Sequence, residues 1–246
     1  MAQNPELEAK GKILEILRRG EMTLQGQFVL GYNFTFLVQV TDRSATYQAV
    51  YKPQRGEQPL WDFPENSLSQ RELAAWLVGE SLGWDLVPPT VIREDGPLGA
   101  GSLQLFIEHD PLLHYFNFSE PVKQSLRPAV LFDLLVNNAD RKGGHLILDQ
   151  RGKVWLIDHG LCFHEQVKLR TVIWDFAGEP FPPELISDLG VFLHQLSDQA
   201  GIYSSLLNCL SQSETDALAE RCNHLISEGI YPFPPTDRRA FPFPPI

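Results

Sequence analysis

The pattern of the chain changes near Asp110, and this change is what most limits the folds open to it. Before that point, short runs rich in β-branched and aromatic residues alternate with turn residues. Met22 to Leu30, Phe34 to Val40 and Thr46 to Lys52 are separated by Gly31-Tyr32-Asn33 and Thr41-Asp42-Arg43-Ser44, a spacing that predicts an antiparallel meander. Val87 to Arg93 and Ser102 to Glu108, on either side of Glu94-Asp95-Gly96-Pro97, predict two more strands. An amphipathic helix opens the chain, with Asn4 as its N-cap, Pro5 in the first turn, Ile13, Leu14 and Leu17 on one face and Gly20 as its stop. The stretch Pro53 to Asn66 carries three Pro and one Gly and reads as a loop. Ser67 or Ser69 then caps an apolar helix reaching about Leu82.

After Asp110 helical periodicity takes over, in Ser119 to Asn138 with a break or restart at Pro128, in Pro183 to Gln199 and in Glu214 to Ile226. Short strands at His145 to Leu148 and Val154 to Ile157 interrupt it. The expected class is therefore α+β, a single domain of two lobes: residues 1–109 β-rich, residues 110–230 mainly helical, and 231–246 a Pro- and Phe-rich tail of polyproline character. At 246 residues the chain is short for two independent cores. Its 43% apolar content, with 15 Phe and 5 Trp, is enough to fill one.

Charge narrows the partners. Against 31 Asp and Glu stand 20 Lys and Arg, a formal net charge of −11 that repels phosphate backbones and anionic lipid surfaces. Nucleic acid is not expected as a partner. A nucleotide is still compatible, because metal ions and a locally basic pocket supply positive charge. Cys162, Cys209 and Cys222 have no CxxC spacing, as suits reduced thiols in a cytoplasmic protein. No apolar run approaches a membrane span.

Phosphoryl transfer needs a carboxylate that takes or orients a hydroxyl proton, metal-binding side chains, a lysine on the donor phosphates and a backbone lid over them. The chain has one candidate for each, in order. Asp140 begins a tight Gly-Gly loop between a helix and a short strand, and Asp158 ends the next strand in Ile157-Asp158-His159-Gly160. A carboxylate at such a strand end can meet a second one across the hairpin.

The segment Asn138-Ala139-Asp140-Arg141-Lys142-Gly143-Gly144-His145 resembles the catalytic loop of the phosphatidylinositol 3-/4-kinases and HipA-type bacterial kinases, Asp-Arg-His-x-x-Asn. Asp158-His159-Gly160 resembles their Asp-Phe-Gly metal motif. The resemblance covers roughly Gly26 to Trp174 and implies a two-lobed kinase-like fold binding ATP with Mg²⁺ or Mn²⁺ between the lobes. It implies Asp140 as catalytic aspartate, Asp158 as metal ligand, Lys52 on the α- and β-phosphates and Glu72 paired with Lys52. Gly31 to Thr35, with Gly31, Asn33 and Thr35, become the phosphate-covering hairpin. Phe106-Ile107-Glu108-His109 becomes the adenine hinge, contacts falling on Ile107, Glu108 and His109.

Two residues depart from that pattern: Lys142 stands in place of His, and His145 stands in place of a metal-binding Asn. If His145 is a ligand, softer ions such as Mn²⁺ are favoured over Mg²⁺, and protonation near pH 6.5 should lower activity on acidification. Alternatively it only hydrogen-bonds Asp140 or Asp158. The same residue supports a rival reading, a nucleotide-binding pseudokinase acting as a protein-interaction module. A further rival uses the Phe-Pro repeats of the tail as a ligand for proline-recognition domains, against simple packing of those Phe residues on the C-terminal lobe. Lys168, Arg170, Thr171 and Trp174 suit either an acceptor-binding segment or a solvated basic face. Cys162 is either a reactive thiol or a buried structural one. The acceptor is left open among lipid headgroups, protein Ser/Thr and small polyols, with the acidic surface weighing against a processive membrane lipid kinase.

Overall fold

The computed structural model describes residues 5–29, 33–199 and 201–246; the expected N-cap Asn4 and the turn glycine Gly31 lie outside them. Helix α1 (Pro5–Arg19) is followed by strands β1 (Glu21–Phe28), β2 (Thr35–Thr41) and β3 (Thr46–Pro53), helix α2 (Leu68–Leu82), and strands β4 (Thr90–Gly96) and β5 (Gly99–Leu105). The five strands form one antiparallel sheet in the order β1-β2-β3-β5-β4.

The last two strands do not begin and end where alternation alone places them. Pro88 and Pro89 have no N–H to give a ladder, so β4 starts only at Thr90 and runs through the expected turn to Gly96. Gly96 then pairs with Gly99 across Pro97-Leu98. Beyond Leu105 the chain leaves the sheet, with the Phe106 N–H on Gln48 O at 2.9 Å.

Helix α1 closes one face of the sheet. Ile16 and Leu17 are buried against Val38, Val40, Ala49, Tyr51, Val91 and Leu103, each worth about 1.5–3 kcal/mol of apolar burial. The opposite face of β3 is left for chemistry. Helix α2 belongs elsewhere: Ala74, Ala75, Trp76, Val78 and Leu82 join the larger core of the C-terminal half. It is buried on nearly every side and ties the halves together.

The second half contains α3 (Glu120–Gln124), α4 (Arg127–Val136), the hairpin β6 (Leu146–Leu148) and β7 (Val154–Leu156), then α5 (Pro183–Ser197), α6 (Ile202–Leu207) and α7 (Gln212–Glu228). Of the break or restart expected at Pro128, the structure has the restart: the helix breaks at Ser125-Leu126 and α4 begins at Arg127. Pro128 sits in the first turn of α4, where a missing N–H has no intrahelical partner to lose. Helix α6 is too short to leave a periodic signal.

Tyr231, expected to open the tail, belongs to the core: its ring meets Phe181 edge-on at 4.6 Å and its hydroxyl donates to Arg127 O at 3.0 Å. Phe233, Phe241 and Phe243 are all exposed, and Phe241 meets Trp174 edge-on at 6.5 Å. Cys162 and Cys222 are buried thiols. Among the described residues no helix is long and apolar enough to cross a membrane.

Candidate active site

Period-two alternation along β3 turns Ala49 and Tyr51 into the α1 core and leaves Lys52 facing the space between the lobes. There the Lys52 ammonium contacts Glu72 Oε1 from α2 and Asp158 Oδ1, the latter at 2.9 Å. Burial would lower the Lys52 pKa, but Asp158 and then Glu72 outweigh it and hold the group above its ordinary value. Glu72 has a second task, since its Oε2 accepts the His159 N–H at 3.1 Å. One carboxylate thus fixes both the lysine and the backbone next to Asp158.

Helix α2 cannot easily withdraw Glu72. The next residue back, Arg71, is buried and turned toward the other lobe, where it donates to Cys162 O at 2.7 Å and to the Glu214 carboxylate in the first turn of α7. Phe63 lies under its guanidinium at 4.8 Å. The Lys52–Glu72 pair is therefore built in without any ligand.

Asp158 adopts a left-handed backbone, φ +62°, a region open to Asp at a cost of about 1–3 kcal/mol and found where neighbours over-determine the geometry. Its side chain is 48% exposed and so open to the cleft. The cleft walls strip part of its water, yet Lys52 and then His145 hold its carboxyl well below the usual range. His145 Nε2 lies 3.2 Å from Asp158 Oδ2.

Asp140 reaches the same cleft through a loop held from beneath. Its N–H donates to Asn138 Oδ1 at 2.9 Å, and Asn138 Nδ2 donates to Asp133 Oδ1 on α4 at 3.0 Å. Asp133 also takes the guanidinium of Arg141 in a two-point pair, Nε to Oδ2 at 2.8 Å and Nη2 to Oδ1 at 2.9 Å. Asn137 in a left-handed turn ends α4, and its side chain bonds His164 O, Gln166 O and the Lys168 N–H. The segment 164–172 is thereby laid along the loop, with Arg141 N–H on Arg170 O and Val172 N–H on Arg141 O.

Burial pushes the Asp140 carboxyl up to about 6, although Lys142, with Nζ 3.2 Å from Oδ2, pulls the other way. Burial also drives the His145 imidazole down to about 4, further than the Asp158 carboxylate can pull it back. This corrects the expectation that His145 titrates near 6.5. Neutral at physiological pH, it turns Nε2 toward the Asp158 carboxylate, while its buried Nδ1 has no hydrogen-bond partner among the described residues.

The other expected contacts are placed as follows. Asn33 Oδ1 accepts the Gln58 N–H at 2.8 Å, and the Phe34 N–H bonds Gly56 O at 3.3 Å. Asn33 thus fastens the β1–β2 turn to the residues after β3, and Thr35 begins β2. Ile107, Glu108 and His109 link the lobes directly after β5, with His109 Nδ1 donating to Ile107 O at 2.7 Å. His159, in the place of the expected Phe, is buried edge-on against Phe132 and accepts from Arg141 Nη2 at 3.0 Å. Asp133, Asn138, Arg141 and Arg71 were not singled out from the sequence; the one signal was a carboxylate, Asp133, interrupting the apolar run Ala129 to Val136.

A divalent ion suits this donor set. Among the described residues no three His, Cys, Asp or Glu side chains converge to hold a metal by themselves. Mg²⁺, however, is commonly held by one or two carboxylates, with substrate phosphates and water completing the shell. Asp158 provides such an oxygen, the Lys52 ammonium already rests on its Oδ1, and the His145 Nε2, 3.2 Å from its Oδ2, is a nitrogen donor beside it.

No protein-family model matches the chain. A 15% identical solved structure, the Golgi casein kinase with Mn/ADP bound, superposes with a TM-score of 0.58 over 89% of this chain and 75% of that one. This shows the two-lobed kinase-like fold. Phosphatidylinositol 4-kinase gamma 4 of Oryza sativa subsp. japonica is 32% identical over 49% of this chain, which spans only 25% of that protein's length. These likenesses support a kinase-like fold without singling out the HipA-type or phosphatidylinositol 3-/4-kinase branch. Protein Rv2133c of Mycobacterium tuberculosis is 36% identical over 93% of this chain and 94% of its own length, and the chain belongs to the family of that protein.

Proposed function

We propose that the chain is an ATP-dependent phosphotransferase that passes the γ-phosphate directly and in line to a hydroxyl acceptor. The observation that carries this reading is the meeting of Lys52, Glu72 and Asp158 at one point, with Asp140 near enough for the Asp158 charge to act on it. Lys52, aimed by Glu72, holds the α- and β-phosphates. Asp140 orients the acceptor hydroxyl and takes its proton. Lys142 keeps a positive charge beside that carboxylate and favours its ionised, proton-accepting form. Asp158, and His145 through the Nε2 that faces it, would hold Mg²⁺ or Mn²⁺, which supplies neutralisation of the phosphate charge. Ile107, Glu108 and His109 offer backbone groups to the adenine, and the turn containing Gly31, Asn33 and Thr35 covers the phosphates.

Asp158→Ala tests the reading most directly. Calorimetric titration should show metal-dependent ATP binding in the parent protein and its loss in the variant; the same affinity in both would remove the assignment.

His145 decides between this enzyme and the rival pseudokinase, in which nucleotide binds and nothing is transferred. With an imidazole ligand, turnover in Mn²⁺ should exceed that in Mg²⁺, and His145→Asn should shift the ratio toward Mg²⁺. An unchanged ratio removes His145 from the metal shell. Metal-dependent binding without turnover in either protein selects the pseudokinase.

A further inference from the structure

The proline-rich segment after α7 returns to the catalytic loop. The Thr171 N–H donates to Ala240 O at 3.0 Å, and the Gly143 N–H donates to Pro245 O at 2.8 Å. These two donors flank Asp140: Gly143 follows it in the loop, and Thr171 is laid beside Arg141 by a parallel bridge. Phe116 walls the groove at one end, where a Cβ on Gly143 would come within 2.9 Å of its ring. Trp174 walls it at the other, edge-on to Phe241 at 6.5 Å. Only a glycine at 143 lets a polypeptide and Phe116 approach the same stretch of backbone.

The occupant is only partly held. Ala240 and Pro242 are buried, but Phe241, Phe243 and Ile246 are all at least half exposed, and two backbone hydrogen bonds tie the segment to the loop. Its sequence, Ala-Phe-Pro-Phe-Pro-Pro-Ile, contains no hydroxyl. It can therefore lie beside Asp140 without being a substrate.

We propose that this groove is the acceptor site for a polypeptide, and that residues 240–246 fill it in cis as a hydroxyl-free stand-in which the acceptor must displace. The proposal rests on the phosphotransferase reading and names its substrate class. The acceptor Ser or Thr oxygen forms a bond to the γ-phosphorus of ATP, the β–γ bridging P–O bond breaks, ADP leaves, and the hydroxyl proton passes to Asp140.

The test compares the full chain with one lacking residues 241–246, using dephosphorylated casein as acceptor. A tethered segment competes at an effective concentration on the order of millimolar, so its removal should raise kcat/KM for casein about tenfold or more, with the KM for ATP and the rate of ATP hydrolysis to water kept within about twofold. A labelled peptide of residues 237–246 should bind the shortened chain and be displaced by casein but not by ADP. An unchanged casein rate, a loss of hydrolysis together with transfer, or a gain confined to phosphatidylinositol vesicles would each overturn the proposal. If neither form turns over ATP, the phosphotransferase reading fails by itself, and the peptide still decides the groove: no binding, or no displacement by casein, overturns it. Should the shortened chain not fold, the full-length variants Phe241→Ser, Phe243→Ser and Pro245→Ser take its place. Phosphorylation of at least one, at a rate independent of protein concentration, is expected; labelling of none overturns the proposal.

Discussion

Asp140→Asn is expected to lower turnover by roughly 10² to 10⁴, the range for losing a positioned proton acceptor, while ATP affinity stays close to that of the parent. Asn keeps the size of the side chain and can still accept a hydrogen bond, so the loop retains its Asn138 and Asp133 supports; what is lost is the ability to take a proton. The pH profile separates this from a structural defect. With the Asp140 carboxyl raised to about 6 by burial, activity of the parent should climb as pH rises through about 6. His145, near 4, makes no contribution in that range. In Asp140→Asn the limb near 6 should vanish from the residual rate. Stability moves the opposite way. A carboxyl raised in the folded state takes up protons more readily there than in the unfolded chain, so its stabilising effect is full below about 4 and is lost as pH rises through about 6. Nucleotide-free Asp140→Asn should therefore be more stable than the parent by about 1–3 kcal/mol at pH 8 and no more stable at pH 4, by urea denaturation. A variant less stable at pH 8, or an unaltered acid limb, would remove Asp140 as the base.

The residues at the centre of this site were legible because chemistry leaves few choices. Two carboxylates bracketing a Gly-Gly loop and a hairpin, with a lysine ending a period-two strand, can be read off one chain. The lysine's direction follows from the burial of Ala49 and Tyr51 on the other face of β3. The support beneath them was not legible. Asn33 in a turn looks like a phosphate contact, and nothing in the sequence says that its Oδ1 also accepts the Gln58 N–H, a partner set by how the loop after β3 folds back. Arg71, beside Glu72, looks like a solvated helix residue until α2 is seen buried against both lobes. At Pro128 the sequence leaves break and restart both open for a local reason: proline marks the start of a helix as readily as its end, and the pattern around it does not say which. Asp133 gave the one readable hint, since a lone carboxylate within an apolar helical run needs a cation, and a buried cation could have been sought in Arg141.

Arg141→Met is expected to destabilise the protein by about 3–5 kcal/mol, the usual consequence of leaving one member of a buried ion pair alone. Arg141 is wholly buried and Asp133 nearly so. All five guanidinium N–H groups have an acceptor: two on Asp133, one each on Ile157 O and His145 O, and one on His159 Nε2. Because arginine only donates, His159 Nε2 must accept, which puts its proton on Nδ1, toward Glu72 Oε2 at 3.8 Å. Burial, followed by the Arg141 charge, keeps that ring neutral by lowering its pKa well below the ordinary value. One side chain therefore joins α4, the catalytic loop, the end of the β6–β7 hairpin and the Asp158-His159 turn. Arg141→Lys keeps the charge but has no planar fork, and should recover only part of the loss. The double variant Asp133→Leu/Arg141→Met separates folding from function. Replacing both charges with apolar groups removes the unpaired ion, so stability in urea should return to within about 2 kcal/mol of the parent. Turnover should stay low in the double variant, because Asn138 loses the Asp133 oxygen that aims it at the Asp140 N–H. Recovery of turnover along with stability would mean that the network holds the fold and has no part in placing Asp140.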